Sequence, residues 1–204
     1  YKFKPIVPVR NWREEDGAFA SNYSAPERSF APPQLTNLIA PWQMMAAYDR
    51  YGDESLLGYA TRATDWLYTN FVETHPMSVV VGGVRDAWRE EEVWAKFTAE
   101  YLILCLGVYE RTDEREYLRR AIQSARFLIQ AQLHEHAVKY SHTSQMWVTR
   151  GWQSFGRVIE ALLYLHQVTQ DNAWLGAALN WGEFGLTLQA PDGGFYLING
   201  EYYN

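Results

Sequence analysis

Apolar residues recur along this chain with the 3.6-residue period of amphipathic helices, and the pattern itself repeats. Segments beginning near Asp53, Glu114 and Asp171 superpose: Leu57, Leu118 and Leu175 match, as do Ala60, Ala121 and Ala178, and Trp66, Phe127 and Phe184. All three sets are offset by the same two steps, the signature of a repeated supersecondary unit. Each segment opens on an acidic or turn residue, as in YGDESLL, RTDEREYL and TQDNAWL, where an Asp can accept from the exposed N–H groups of a first helical turn.

A second helix-like run precedes each of these, over residues 35–51, 89–111 and 151–169. The latter two, with AEYLILCLGVY and VIEALLYLHQV, are apolar around most of their circumference, which predicts inner helices enclosed on several sides. Runs such as EYLRRAIQSARFLI carry one charged face and should cover them from outside. Glycine-aromatic loops, Asp192-Gly193-Gly194-Phe195, Gly82-Gly83-Val84 and Asp16-Gly17-Ala18-Phe19, send the chain back inward. The expected unit is helix, turn, helix, glycine loop, with a period of about 60 residues. Strand signals are few, with MSVVVGGV and GGFYLI the candidates. The expectation is an all-α fold of about three helical hairpins in one domain, residues 1–204, with 1–34 a leading loop region and 35–204 the hairpins.

A length of 204 residues with 48% hydrophobic and 21% charged residues suits one folded domain with a sizeable core. The net charge of -6 argues against a nucleic-acid partner, which needs a concentrated basic face. Among the basic residues 14 are Arg and 4 are Lys, a bias toward the planar fork that grips carboxylates. Aromatic residues reach 16%, many in polar stretches, where their faces suit the C–H faces of sugar rings as well as a core. Cys105 is the only cysteine and lies in an apolar run, which excludes a disulfide framework and reads as a buried thiol. No run approaches a membrane span, and a soluble protein is expected, cytoplasmic by slight preference.

Helical hairpins of this period, closed by loops such as LQAPDGGF, resemble the α/α toroid of the six-hairpin glycosidases and their relatives. A complete toroid implies about six hairpins, so the resemblance implies a partial toroid, a fragment of a larger one, or self-association that completes the ring. VRDAWREEEVWAKFTAEYL, KYSH and WVTRGW, in that order, are similar to the unsaturated glucuronyl hydrolases, although the last motif lacks a residue that the family carries. The segment RVIEALLYLHQVTQDNAWLGAALNWGEF followed by PDGGFYL is equally similar to the N-acylglucosamine 2-epimerases.

Within this frame Asp86, ahead of an inner helix, is the candidate acid, placed to protonate a leaving oxygen or an unsaturated uronide; its bland reading is a helix cap. Arg85 and Arg89 flank it as carboxylate binders or as partners of Glu90, Glu91 and Glu92, and the acidic run itself reads as a first-turn cluster favoured by the helix dipole. His142 and Tyr140 in KYSH are the other catalytic candidates, suited with Arg150 to proton abstraction next to a carboxylate. Trp88, Trp147, Arg150, Trp152, Asp192 and Tyr196 are candidate substrate contacts, Asp192 reading also as a turn former. His134 and His136, two apart, make no standard metal site, and His166 reads as a core histidine. No cofactor or metal is implied. The sequence therefore points to an acid/base glycoside hydrolase of uronic-acid-containing oligosaccharides. The alternatives are a sugar epimerase, a uronate lyase, or a non-catalytic helical-repeat module that binds glycans or proteins.

Overall fold

The structure, a computed structural model, describes residues 12–20, 23–24, 29–30, 35–87, 89, 91–149 and 155–194. Among the described residues six helices form three antiparallel hairpins: α1 (Ala40–Tyr51) with α2 (Glu54–Phe71), α3 (Ala95–Thr112) with α4 (Arg115–Leu133), and α5 (Phe155–Thr169) with α6 (Asn172–Thr187). The turns are two residues long and carry their own signals. Gly52 and Asp113 take left-handed conformations (φ 66° and 57°) that end α1 and α3, and the Asp53 and Asp171 carboxylates accept from the N–H groups of Ser55 and Ala173.

The inner helices are α1, α3 and α5. The middle one, α3, is buried over Tyr101–Val108, because it packs against α1, α2, α4 and α5. Gly107 lets α1 approach; a Cβ there would stand 2.7 Å from the Trp42 ring. On the outer helices the repeated alanines Ala60, Ala121 and Ala178 are all buried against this core. Ion pairs join successive hairpins at about the period of the repeat: Arg111 of α3 to Asp49 of α1, Arg120 of α4 to Asp65 of α2 at 2.6 Å, and Arg157 of α5 to Glu100 of α3 at 2.6 Å.

Short strands occupy the connections. β1 (Trp12–Arg13) pairs with β2 (Ala18–Phe19) across a turn in which Gly17 has φ 66°, and β3 (Tyr23–Ser24) pairs with β4 (Ser29–Phe30). The third sheet is an antiparallel meander of β5 (Val84–Arg85), β6 (Glu92–Trp94), β7 (Lys139–Ser141) and β8 (Met146–Val148).

This meander corrects several expectations. The inner helix expected from residue 89 begins at Ala95, after a turn and β6, so Glu92 lies in a strand and not in a first helical turn. KYSH is mostly β7 rather than loop, and MWV is β8 rather than the opening of an inner helix. MSVVVGGV runs through turns, with only Val84 in a strand; local β-propensity loses there to the tight reversal that Gly82 (φ 87°) makes beneath Gln123. The first inner run is a 3-10 turn, Leu35–Leu38, followed by α1. His166 is half-buried at the end of α5, where its Nδ1 lies 2.9 Å from the Asp171 carbonyl, so it stands outside the core. Cys105 is buried, as expected, and burial pushes its thiol up to about 12. The candidate strand at Phe195–Ile198 lies outside the described residues.

Candidate functional site

The meander lies at the end of the molecule where α3 begins: β6 runs directly into α3 through its N-cap residue, Trp94, and β8 ends seven residues before α5. Its register decides which side chains meet, because directly paired residues of an antiparallel sheet point to the same face. Arg85, Val93, Tyr140 and Trp147 are paired in one row, and Val84, Trp94, Lys139 and Val148 in the next. The Asp86 N–H donates to the Glu92 carbonyl at 2.8 Å, extending the ladder one residue and setting Asp86 opposite Glu92. The sheet therefore divides the expected site residues between two faces.

On one face Glu92 is the hub. Lys139 Nζ donates to Glu92 Oε1 at 2.6 Å, Trp94 Nε1 donates to Oε2 at 3.1 Å, and Arg89 Nη1 stands 3.7 Å from Oε1. Lys139 also sits 4.8 Å over the Trp94 ring, within cation-π range. Glu92 and Lys139 are largely buried, with side-chain exposures of 16% and 15%, whereas Arg89 is exposed. Asp86 is buried opposite this group. Between α3 and α5, Arg157 bridges Glu100 and Glu160, each at 2.6 Å. Burial works against its charge, but the two carboxylates outweigh it and hold its pKa above the ordinary arginine value.

The other face turns toward α4. Trp147 lies 5.5 Å from Phe127 and stacks on His134 at 4.8 Å; Tyr140 meets Trp147 and His142 edge-on at 5.4 and 5.3 Å. His142 Nε2 stands 3.9 Å from Glu73 Oε2. Arg85 Nη2 donates to the Asn70 carbonyl at the end of α2, which ties it to the scaffold. The structure thus does not bring Tyr140, His142 and Trp147 together with Asp86. Asp192 accepts from Gly194 N–H at 3.0 Å and shapes the last glycine turn. Trp88, Arg150, Trp152 and Tyr196 lie outside the described residues. Sequence reasoning missed Glu92 as a buried hub, Trp94 and Lys139; the signal available was the alternation of EVW and of KYS, each too short to register. Among the described residues no cluster of His, Cys, Asp or Glu could hold a metal ion, and no helix is long and apolar enough to cross a membrane.

No family model and no curated protein matches the sequence. Solved structures do match. A D-mannose isomerase superposes with a TM-score of 0.75 at 16% identity, covering 96% of this chain and 55% of that one. The cellobiose 2-epimerase of Bacillus thermoamylovorans gives 0.69 at 16% identity over 95% of this chain and 56% of its own. The fold is a partial α/α toroid. A family 76 glycoside hydrolase from a bovine Bacteroides thetaiotaomicron strain shares it more distantly, with a TM-score of 0.58 at 20% identity over 71% of this chain and 33% of that one. The chain spans about half the length of the isomerase and the epimerase.

Proposed function

We propose that this chain belongs to a carbohydrate-active enzyme that moves a proton on a bound sugar, as an isomerase or epimerase does. The observation that carries the reading is the division of labour on the Glu92 face. Both Glu92 oxygens are held, by Lys139 and by Trp94, so Glu92 serves as a fixed anion that organises its neighbours. Asp86, across the ladder, is the group assigned to carry the proton. In an open-chain sugar it would remove the hydrogen from the carbon beside the carbonyl, and the electron pair would move to the carbonyl oxygen. Returning a proton to the former carbonyl carbon, while the C2 hydroxyl proton passes to O1, isomerises the sugar; returning it to the other face of C2, after the enediolate turns about its C2–C3 bond, epimerises it. Arg89, exposed and held at 3.7 Å from Glu92, is placed to stabilise the enediolate oxygen, and Trp94 offers a ring to the sugar's C–H face. The match to a sugar isomerase and epimerases over nearly the whole chain supports this reading.

Hydrolysis of uronic-acid-containing oligosaccharides is the second reading, favoured by the placement of two carboxyl residues, Asp86 and Glu92, directly across the ladder, where Cβ atoms stand about 5 Å apart. The proton-moving role of His142 and Tyr140 is the weaker form of the epimerase reading, since the pair faces α4.

One experiment separates the readings. The protein is incubated in D2O with mannose, cellobiose and an unsaturated uronyl disaccharide and followed by proton NMR. Deuterium entering at C2 supports the isomerase or epimerase reading, while loss of the uronyl double bond with release of the second sugar and no C2 exchange moves the assignment to the hydrolase. Asp86→Asn should slow the observed reaction by about 100-fold or more. An unchanged rate removes Asp86 from the chemistry.

A further inference from the structure

Two cavities of about 790 and 590 Å³ open along the outer side of α4, away from the Glu92 face, and they share Val81 and Arg126 in their walls. The larger holds Arg115 and Arg119 as well as Arg126. These arginines lie four and seven residues apart on one helical face, about 6 and about 10 Å along the axis. The smaller cavity continues past Gln130 to the stacked pair of His134 and Trp147. No carboxylate is among the described residues that line either cavity, in a chain whose net charge is -6. Arg119 is paired with Glu116 at 2.7 Å and also donates to Tyr68, whereas Arg115 and Arg126 have no ion pair or hydrogen bond among the described residues. An unpaired arginine in a groove walled by Leu118, Ile122 and Val81 keeps its fork available to a carboxylate while the apolar walls suit the C–H faces of a sugar.

We propose that this groove is a second saccharide-binding site, separate from the Glu92 face, and that it takes an oligosaccharide bearing carboxylate groups, held by Arg115 and Arg126 with its far end against His134 and Trp147. The inference rests on the reading of the protein as carbohydrate-active, but it concerns binding and requires no turnover. Its span along α4 suits an oligomer, so the groove would tether a polymeric or oligomeric chain. The apolar walls and the negative charge of the rest of the molecule favour a polyuronate over a nucleic-acid strand, whose phosphates need a broader basic surface.

The test is isothermal titration of the intact protein with an oligogalacturonate hexamer, with a neutral cello-oligosaccharide of equal length and with a single-stranded RNA of similar charge. The expected result is binding of the hexamer that weakens about tenfold or more in Arg115→Ser/Arg126→Ser, whereas any binding of the neutral oligosaccharide, at the Glu92 face, is unchanged in that variant. Affinity should recover in part in Arg115→Lys/Arg126→Lys and stay unchanged in Asp86→Asn. Thermal melts of the same variants check that each is folded. Equal affinity in the serine double variant overturns the proposal, as does tighter binding of the RNA. Loss of binding in Asp86→Asn would place the hexamer at the Glu92 face and overturn it too. If the hexamer does not bind while deuterium exchange on mannose or cellobiose proceeds, the groove proposal fails and the proposed function stands.

Discussion

Gly82 is the residue on which the position of Asp86 most depends. It takes φ 87°, a region that L-residues avoid, and a Cβ there would fall well inside contact distance of the Gln123 backbone carbonyl. Its own carbonyl accepts from the buried Ser124 hydroxyl at 2.9 Å, so the turn is pinned to α4 on both sides. Gly82→Ala should therefore destabilise by about 2 kcal/mol or more, combining left-handed strain with a clash against backbone that cannot rotate away. Urea unfolding measures this, and a loss under 0.5 kcal/mol would show that the loop shifts freely. Neighbouring Gly83 is buried for a different reason: its missing side chain leaves room for Val93 and Phe127, which seat β6 on α4. The sequence shows these glycines as a loop. That they carry β5 to the Glu92 face is visible only once Gln123, some forty residues on, is beside them.

The repeat makes a contrast at the level of the helices. Asp53, Glu114 and Asp171 occupy equivalent places, yet only the two aspartates accept a hydrogen bond from the first turn; the longer Glu114 side chain makes none there. Asp53→Ala and Asp171→Ala should each cost about 1 kcal/mol, and Glu114→Ala distinctly less. In a chain of this size that is a drop in melting temperature of about 2–4 °C for each aspartate. Calorimetry of the three variants gives the ranking, and equal losses would mean that the acidic residues act through the helix dipole and not as caps. The strands behave otherwise. β5 to β8 are two or three residues each, below the length at which alternation can be recognised, and the pairing of β6 with β7 joins residues 47 positions apart, such as Val93 and Tyr140.

Across the whole molecule the hairpins are held together by a shared apolar core and by arginine–carboxylate pairs that fix a pH response. The Arg119 guanidinium, aided by Arg120, holds the Glu116 carboxyl at about 2, and Arg111 lowers that of Asp49 between α3 and α1. Groups whose folded pKa is depressed contribute stability above their unfolded pKa and lose it as pH falls through the folded one. The melting temperature should thus fall as pH drops from about 4.5 toward 2. These carboxylates are largely solvent-exposed, so each contribution is modest. Glu116→Gln should lower the melting temperature at neutral pH and shrink the acid-side decline; an unaltered decline would assign it to other carboxylates.

The sequence by itself determined the helices, their pairing into three hairpins, and the inner and outer order, while the toroid entered only through the resemblance to a known family. These follow from short-range periodicity, local caps and turn residues, all written within a few positions of one another. It also marked Asp86 as a candidate ahead of an inner helix, without the turn and β6 that separate the two. Tertiary structure alone decided which candidates share a face: Asp86 opposite Glu92 with Lys139 and Trp94, and Tyr140, His142 and Trp147 on the far side against α4. That choice rests on strand register, and a shift of one residue would exchange the two sets. Register is set by buried Val93 packing at Gly83 and Phe127 from distant parts of the chain, a long-range contact that no local pattern encodes.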